Sequence, residues 1–423
     1  MKNIHAFLLI FVIIGAYYAR MYKFHEPVAD WHSWRQADTS SVSRHFATDG
    51  IDVLHPKFDD LSKGVSLIDN PKGYRFVEFP IYNILQAKVY TSSSLTLEEA
   101  GRRVTIFSQL FSILFIYLIT SRFTNKRAGL IASAFYAFVP YNVYYGRTIL
   151  PDSTTVTAIL ASLYFFSLWM EKVNSLKFFT LSLLCTSVAF LLKPYALFFM
   201  LPHLYLAYKR FGMRLFISWR LILFAVVSTA PLIAWRAWML QYPEGIPQSG
   251  WLLNGSGIRF KGAFFHWIFA DRIGKLILGY FGLPLVIVGI VAKMKNEGLL
   301  YIALLLSSLI YLIVMATGNV QHDYYQILII PTLAILFGKG ADFVLSGAGV
   351  IFNRFTSYMV ILSCIAFMLA FGWFYVRDYY NLQHIEVVIS GVAIDKALPK
   401  DAKVIAPYGG DTTFLYNLNR VGW

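Results

Sequence analysis

The sequence predicts an all-α polytopic membrane protein, a transmembrane helix bundle of about eleven spans. Three observations carry that expectation. Of the 423 residues, 57% are hydrophobic and 17% aromatic, while only 14% are charged; a soluble chain carries charge on about a quarter of its residues. The apolar residues gather into runs close to the ~20 residues that cross a bilayer as a helix. The basic residues fall in every second interval between those runs. In a soluble protein the net charge of +14 would suggest a nucleic-acid partner. Here it sits in short loops, which points instead to control of topology and contact with membrane lipids, and to no nucleic acid.

Taken in order, the first apolar run covers 6–19. No small-residue cleavage site accompanies it, so it reads as an uncleaved first helix. A long polar and aromatic loop, 20–103, comes next. The remaining runs cover 104–120, 128–145, 154–170, 176–192, 196–208, 221–235, 274–292, 299–316, 326–341 and 357–376. No internal repeat is visible, which weakens a transporter built from inverted repeats. Arg122, Lys126 and Arg127 follow the second run, and Lys172 and Lys177 the fourth. Lys209, Arg210, Arg214 and Arg220 follow the sixth, Lys293 and Lys295 the eighth, and Arg354 the tenth. All these loops lie on the side of the N-terminus, which the positive-inside rule makes cytoplasmic. The opposite, extracytoplasmic face holds nearly all the chemically capable residues. The division expected is a transmembrane domain, 1–376, and a short extracytoplasmic C-terminal segment, 377–423, with a strand-like run at 403–406 and a Gly-Gly turn.

The stretch DWHSWRQADTSSVSRHF, 30–46, follows the first run. As a helix it would bring Trp31, Trp34, Asp38, Val42 and His45 onto one face. Tryptophans on that face suit the headgroup level, so the segment reads as a surface helix anchored at the interface. Asp38, flanked by Arg35 and Arg44, is better suited to chemistry than to anchoring.

Later segments complete an ordered set: EFPIYNILQAKVY from Glu78, GRRVTIFSQLFSILF from Gly101, GRTILPDSTTV from Gly146, LLKPYALFFMLP from Leu191 and HDYYQILIIPTLAIL from His322. In this order of features the chain resembles the GT-C membrane glycosyltransferases, in particular the bacterial branch related to protein O-mannosyltransferases and to the aminoarabinose transferase of lipid A. The resemblance implies transfer of a sugar from a polyprenyl-phosphate carrier to a glycan, lipid or protein acceptor outside the cytoplasmic (inner) membrane. It also implies that an acid of the first outer loop acts as base, which assigns that role to Asp38. There are two departures. Members often open this helix with an Asp-Glu pair where this chain has Arg35 and Gln36, which makes Asp30, upstream, a second candidate. Glu78 stands where relatives carry a lysine before two prolines, so it is a third candidate acid with reversed charge.

Such a reaction needs a carboxylate near the nucleophile and cations for the charge that develops on the phosphate. Arg35, Arg103, Arg147, Lys193 and His322 are the candidate cations for the donor phosphate. Lys193, in an apolar setting, either meets a charged partner or snorkels to the interface. Asp152 either contacts the donor or caps the helix that begins there. Tyr325 stacks on a sugar or belongs to the aromatic belt. His32, His45, His55, His322 and Asp323 show no metal-ligand spacing and read mostly as solvated loop residues. A lipid monophosphate has no diphosphate to bridge, so a metal is not obligatory, and neither a metal nor another cofactor is indicated. The alternative reading is a polytopic transporter or lipid-linked glycan flippase, which would require charged or broken helices near the bilayer midplane.

Overall fold

The computed structural model describes residues 4–423. Among them regular structure is helical, with four isolated β-bridges. The first helices are α1 (Ile4–Arg20), α2 (Ser33–Thr48), α3 (Ile81–Thr91), α4 (Leu97–Phe123) and α5 (Lys126–Phe138). They are followed by α6 (Pro140–Tyr145), α7 (Asp152–Glu171), α8 (Leu176–Leu192), α9 (Leu201–Phe211) and α10 (Trp219–Met239). Among the described residues, five helical stretches are long and apolar enough to cross a membrane: α4, α7, α10, Asp323–Gly347 and Arg354–Ala397. Three shorter apolar helices, α1, α8 and Leu300–Val314, correspond to the first, fifth and ninth runs of the sequence.

The other three runs are broken, each at proline or glycine. Pro140 removes a backbone donor and ends α5 at the residue before it, so the run 128–145 becomes α5 and α6. Pro194 opens a 3₁₀ segment, Pro194–Met200, that precedes α9. The run 274–292 divides into a π-helical stretch, His266–Ile277, and the helix Leu283–Val291. Between them Gly279 has φ of 47°. A Cβ there would lie 2.4 Å from the Met368 carbonyl oxygen, so glycine permits both the turn and the close approach.

Helix termini carry local signals that the structure honours. Thr96 and Glu99 form a reciprocal capping box at the start of α4, and Asn125 caps α5. The helices Leu283–Val291 and Ile330–Gly347 touch through Gly289 and Gly340, where any side chain would strike the facing backbone. Small residues at such crossings let backbones approach in a lipid environment that offers no hydrophobic drive between helices.

The helix α2 departs from the expected interfacial anchor. Arg35, Gln36, Asp38, Thr39, Ser40, Ser41 and Ser43 are all buried. Its polar groups find partners instead of solvent: Ser43 and Ser40 bond Gln86, and Asn83 bonds the Thr39 carbonyl. Trp31 and Trp34 are half-buried. Trp31 stacks on Tyr379 and donates its indole N–H to Asp323. A helix with polar residues on every side is stable when each side is matched by a neighbouring element.

The C-terminal segment folds onto the same end of the bundle. Thr413 bonds Ser33, and Arg44 bonds the Tyr416 carbonyl. The expected strand-like run contributes one bridge, Val404 to Gly422, while Gly422 also pairs with Asp60 of the first loop. The tail is thus held against α2 and the first loop by polar contacts at several points.

Candidate active site

Four elements bring charge together. The helix α2 presents Arg35 and Asp38. The loop before α3 presents Arg75 and Glu78, with Arg75 held by a backbone bond to Pro56 and Pro80 fixing the start of α3. The antiparallel pair α7 and α8 contributes Asp152, the first residue of α7, and Lys193, the residue that ends α8.

These side chains alternate in sign. The Asp38 carboxylate accepts from Arg75 at 2.5 Å and from the Thr412 hydroxyl at 2.6 Å. Arg35 pairs with Glu78 at 2.6 Å. Lys193 lies 3.6 Å from Glu78 and 3.0 Å from Asp152. Burial works to raise the Glu78 carboxyl, but Arg35 and then Lys193 outweigh it and hold it below the usual carboxylate range. Arg35, against the same burial, is raised by Glu78 and by nearby Asp38. A narrow pocket opens among Arg35, Asp38, Arg75, Glu78 and Asn83. Asp152 is not a helix cap: α7 has no side-chain capping bond, and its carboxylate faces Lys193. Lys193 does not snorkel, being buried between two acids.

Beside the pocket, four donors converge on the buried Asp323 carboxylate. They are the Trp31 indole at 3.1 Å, His32 Nε2 at 2.5 Å, the Tyr145 hydroxyl at 2.7 Å and the Tyr379 hydroxyl at 2.6 Å. Asp323 is therefore no solvated loop residue. His32, which precedes α2, is held with φ of 56°, a left-handed conformation uncommon outside glycine. His322 packs against Tyr324, Tyr325, Trp34 and Trp251. Burial, with His32 close by, pushes the His322 imidazole down to about 4. At neutral pH it is an uncharged ring, not the cation expected for a phosphate. Tyr325 stands between His322 and Lys193, 5.6 Å from its ammonium.

Three other candidates, Asp30, Arg147 and Arg103, do not join the pocket. Asp30 and Arg147 form an ion pair at 2.8 Å, each about 1% exposed, with Gln36 on the second Asp30 oxygen. That pair ties the start of α2 to the loop before α7, and neither member has a charge free for substrate. Arg103 lies over the Phe24 ring, 5.3 Å from its centroid, apart from the other cations. Arg75, which lines the pocket, and Thr412, which bonds Asp38, are partners of Asp38 that sequence reasoning missed. Neither sits in a periodic pattern or a motif, and both reach Asp38 only because separate loops fold onto α2. Among the described residues, no group of three His, Cys, Asp or Glu side chains is placed to hold a metal ion.

A family model described as dolichyl-phosphate-mannose-protein mannosyltransferase matches residues 91–235. No curated protein sequence matches the chain. Among solved structures, one similar fold is ArnT from Cupriavidus metallidurans bound to undecaprenyl phosphate. It has a TM-score of 0.65 and 15% identity, over 99% of this chain and 85% of that one. Another is the oligosaccharyltransferase AglB from Archaeoglobus fulgidus in complex with an inhibitory peptide and a dolichol-phosphate. It has a TM-score of 0.65 and 12% identity, over 100% of this chain and 64% of that one. An Archaeoglobus fulgidus oligosaccharyltransferase tethered to an acceptor peptide gives a TM-score of 0.67 at 12% identity, over 100% of this chain and 64% of that one. The family-model match over 91–235 and a fold shared along nearly the whole chain support a GT-C-type membrane glycosyltransferase fold.

Proposed function

We propose that the protein transfers a sugar from a polyprenyl-phosphate carrier to a glycan, lipid or protein acceptor on the extracytoplasmic face of the inner membrane. The observation that carries this reading is the pocket in which a carboxylate, Asp38, and two guanidinium groups, Arg35 and Arg75, line one cleft at the ends of membrane helices. Asp38 takes the proton from the acceptor hydroxyl or amine as it attacks the anomeric carbon. The new bond forms at that carbon while its bond to the phosphate oxygen breaks. The lipid phosphate leaves with its charge met by Arg35 and Lys193, which loosen from Glu78 as the phosphate arrives. Glu78 thereby keeps both cations positioned until the donor phosphate arrives. Asp152 holds Lys193 from its other side, and Tyr325 offers a face to the sugar. The lipid phosphates bound by ArnT and AglB support a carrier of this class. The reading assigns no metal and no organic cofactor.

The test is turnover of purified protein with a lipid-linked sugar donor. Asp38→Asn keeps the shape but loses the basicity, and the expected loss is on the order of 10²–10⁴-fold in rate with donor affinity retained. Asp30→Asn leaves the buried Arg147 charge uncompensated, so it is expected to lower stability by about 3–5 kcal/mol. Near-normal turnover in Asp38→Asn, or turnover with a soluble nucleotide sugar and no lipid carrier, would overturn the assignment.

A further inference from the structure

The helix α7 starts at Asp152 and ends at Glu171, and α8 starts at Leu176 and ends beside Lys193. At 1.5 Å per residue, the turn joining them lies roughly 30 Å from the pocket, about one bilayer core away. Two adjoining hollows open there, of about 340 and 380 Å³. Both are lined by residues 173–175 and by Arg220, so they form one groove between the α7–α8 turn and the start of α10.

The two halves of the groove differ in chemistry. One half is apolar, with Trp169 at its floor and Phe179, Trp219 and Leu223 along its walls. Trp169 is fully buried and its indole N–H is satisfied by the Val173 carbonyl, so the floor offers an apolar surface with no unpaired donor. Trp219 and Leu223 are exposed on the flank of α10, which opens this half toward the hydrocarbon of the bilayer. The other half is ringed by Lys172, Arg210 and Arg220. None of these three has a carboxylate partner among the described residues. The one acid of the groove, Glu171, is taken by Arg122. The groove therefore joins a cluster of uncompensated cations to an apolar channel at membrane depth.

We infer that this groove binds the headgroup of an anionic phospholipid of the surrounding leaflet. The phosphate meets Lys172, Arg210 and Arg220, and an acyl chain lies along Trp219 and Leu223. Cations between membrane helices at a bilayer surface are suited to such headgroups, and an aromatic ring at the polar boundary suits the interface below them. The site shares no residue with the sugar-transfer pocket and does not rest on that reading.

The test uses the full-length protein, delipidated in an uncharged detergent, with phosphatidylglycerol, cardiolipin, phosphatidylcholine or inorganic phosphate added singly. Native mass spectrometry reads the lipid retained, and thermal shift reads its effect on stability. Phosphatidylglycerol and cardiolipin are expected to be retained and to raise the thermal midpoint, with phosphatidylcholine and inorganic phosphate without effect. Each of Lys172→Gln, Arg210→Gln and Arg220→Gln is expected to weaken anionic-lipid binding about fivefold, at the usual contribution of a basic residue to anionic-lipid attraction. The pair Lys293→Gln and Lys295→Gln, two exposed cations of another loop, is expected to leave it unchanged. The single variants change exposed or half-exposed side chains, so folding is retained and the comparison stands. Equal retention of phosphatidylcholine, an equal response to inorganic phosphate, or unchanged anionic-lipid binding in all three variants would overturn the inference.

Discussion

Four side-chain donors meet at Asp323, and their separation along the chain explains why its role escaped sequence reading. Trp31 and His32 come from the start of α2, Tyr145 from α6 and Tyr379 from beyond residue 376. In the sequence, His322 and Asp323 are a polar pair at the end of an apolar run, which solvent would explain equally well. Burial turns the pair into a junction, because an ionised carboxylate removed from water needs several donors at once. Asp323→Asn keeps one acceptor oxygen and turns an amide toward donors that need an acceptor. Each buried group left unpaired costs about 1–3 kcal/mol, so the thermal midpoint of the purified variant is expected to fall clearly. An unchanged midpoint would remove Asp323 as the organiser of the α2 entrance. Asp38, by contrast, was legible in its sequence setting between Arg35 and Arg44. Its partners Arg75 and Thr412 were not, since no local pattern links positions so far apart.

At the scale of elements, α2 was readable as a helix, while the surroundings that bury it were not. Its three- and four-residue spacing is local, but burial of so many polar residues depends on α3, α4 and the tail arriving with matching groups. Its C-terminal turn illustrates the consequence. His45 lies 3.0 Å from Asp49 and 3.3 Å from Asp59. Burial works to lower its proton affinity, but the bonds to Asp59 and then Asp49 outweigh this and raise it above the ordinary histidine value. The folded protein thus holds this proton more tightly than the unfolded chain. The stabilisation is complete below the ordinary value of about 6.5 and is lost as pH rises through the raised folded value. The thermal midpoint of the native protein is expected to decline across that window, and His45→Gln to flatten the decline. An identical slope in the two proteins would sink this account. The broken spans follow the same division. Pro140, Pro194 and Gly279 were visible as breakers, but a sliding apolar window passes over them because the neighbouring residues remain hydrophobic.

For the whole molecule, the first loop and the C-terminal segment meet at one end of the bundle. Leu61 and Gly422 share a backbone bond, and the Thr412 hydroxyl reaches Asp38. Two segments in such contact lie on one side of a membrane, and from the alternation of basic loops we propose that this side is extracytoplasmic. In a background lacking Cys185 and Cys364, single cysteines at the exposed positions Lys63 and Lys403 are expected to react with an impermeant thiol reagent from outside the cytoplasmic membrane. A cysteine in place of Lys293 is expected to stay protected. Protection at Lys63 or Lys403 would defeat the assigned orientation.

The sequence by itself determined that the chain is a helical membrane protein resembling the GT-C glycosyltransferases, because apolar run length, loop charge and motif order are local or additive properties. It also singled out Asp38 and Glu78 through the family resemblance, and Asp152 and Lys193 because charge at the boundary of an apolar run is conspicuous wherever the chain goes. Tertiary structure alone decided which charges are spent on one another. It joined Asp30 to Arg147 in the interior, placed Lys193 between Glu78 and Asp152, left His322 an uncharged ring, and brought Arg75 and Thr412 to Asp38. The physical reason is that pairing depends on distance in space and on exclusion of water, and neither is set by spacing along the chain.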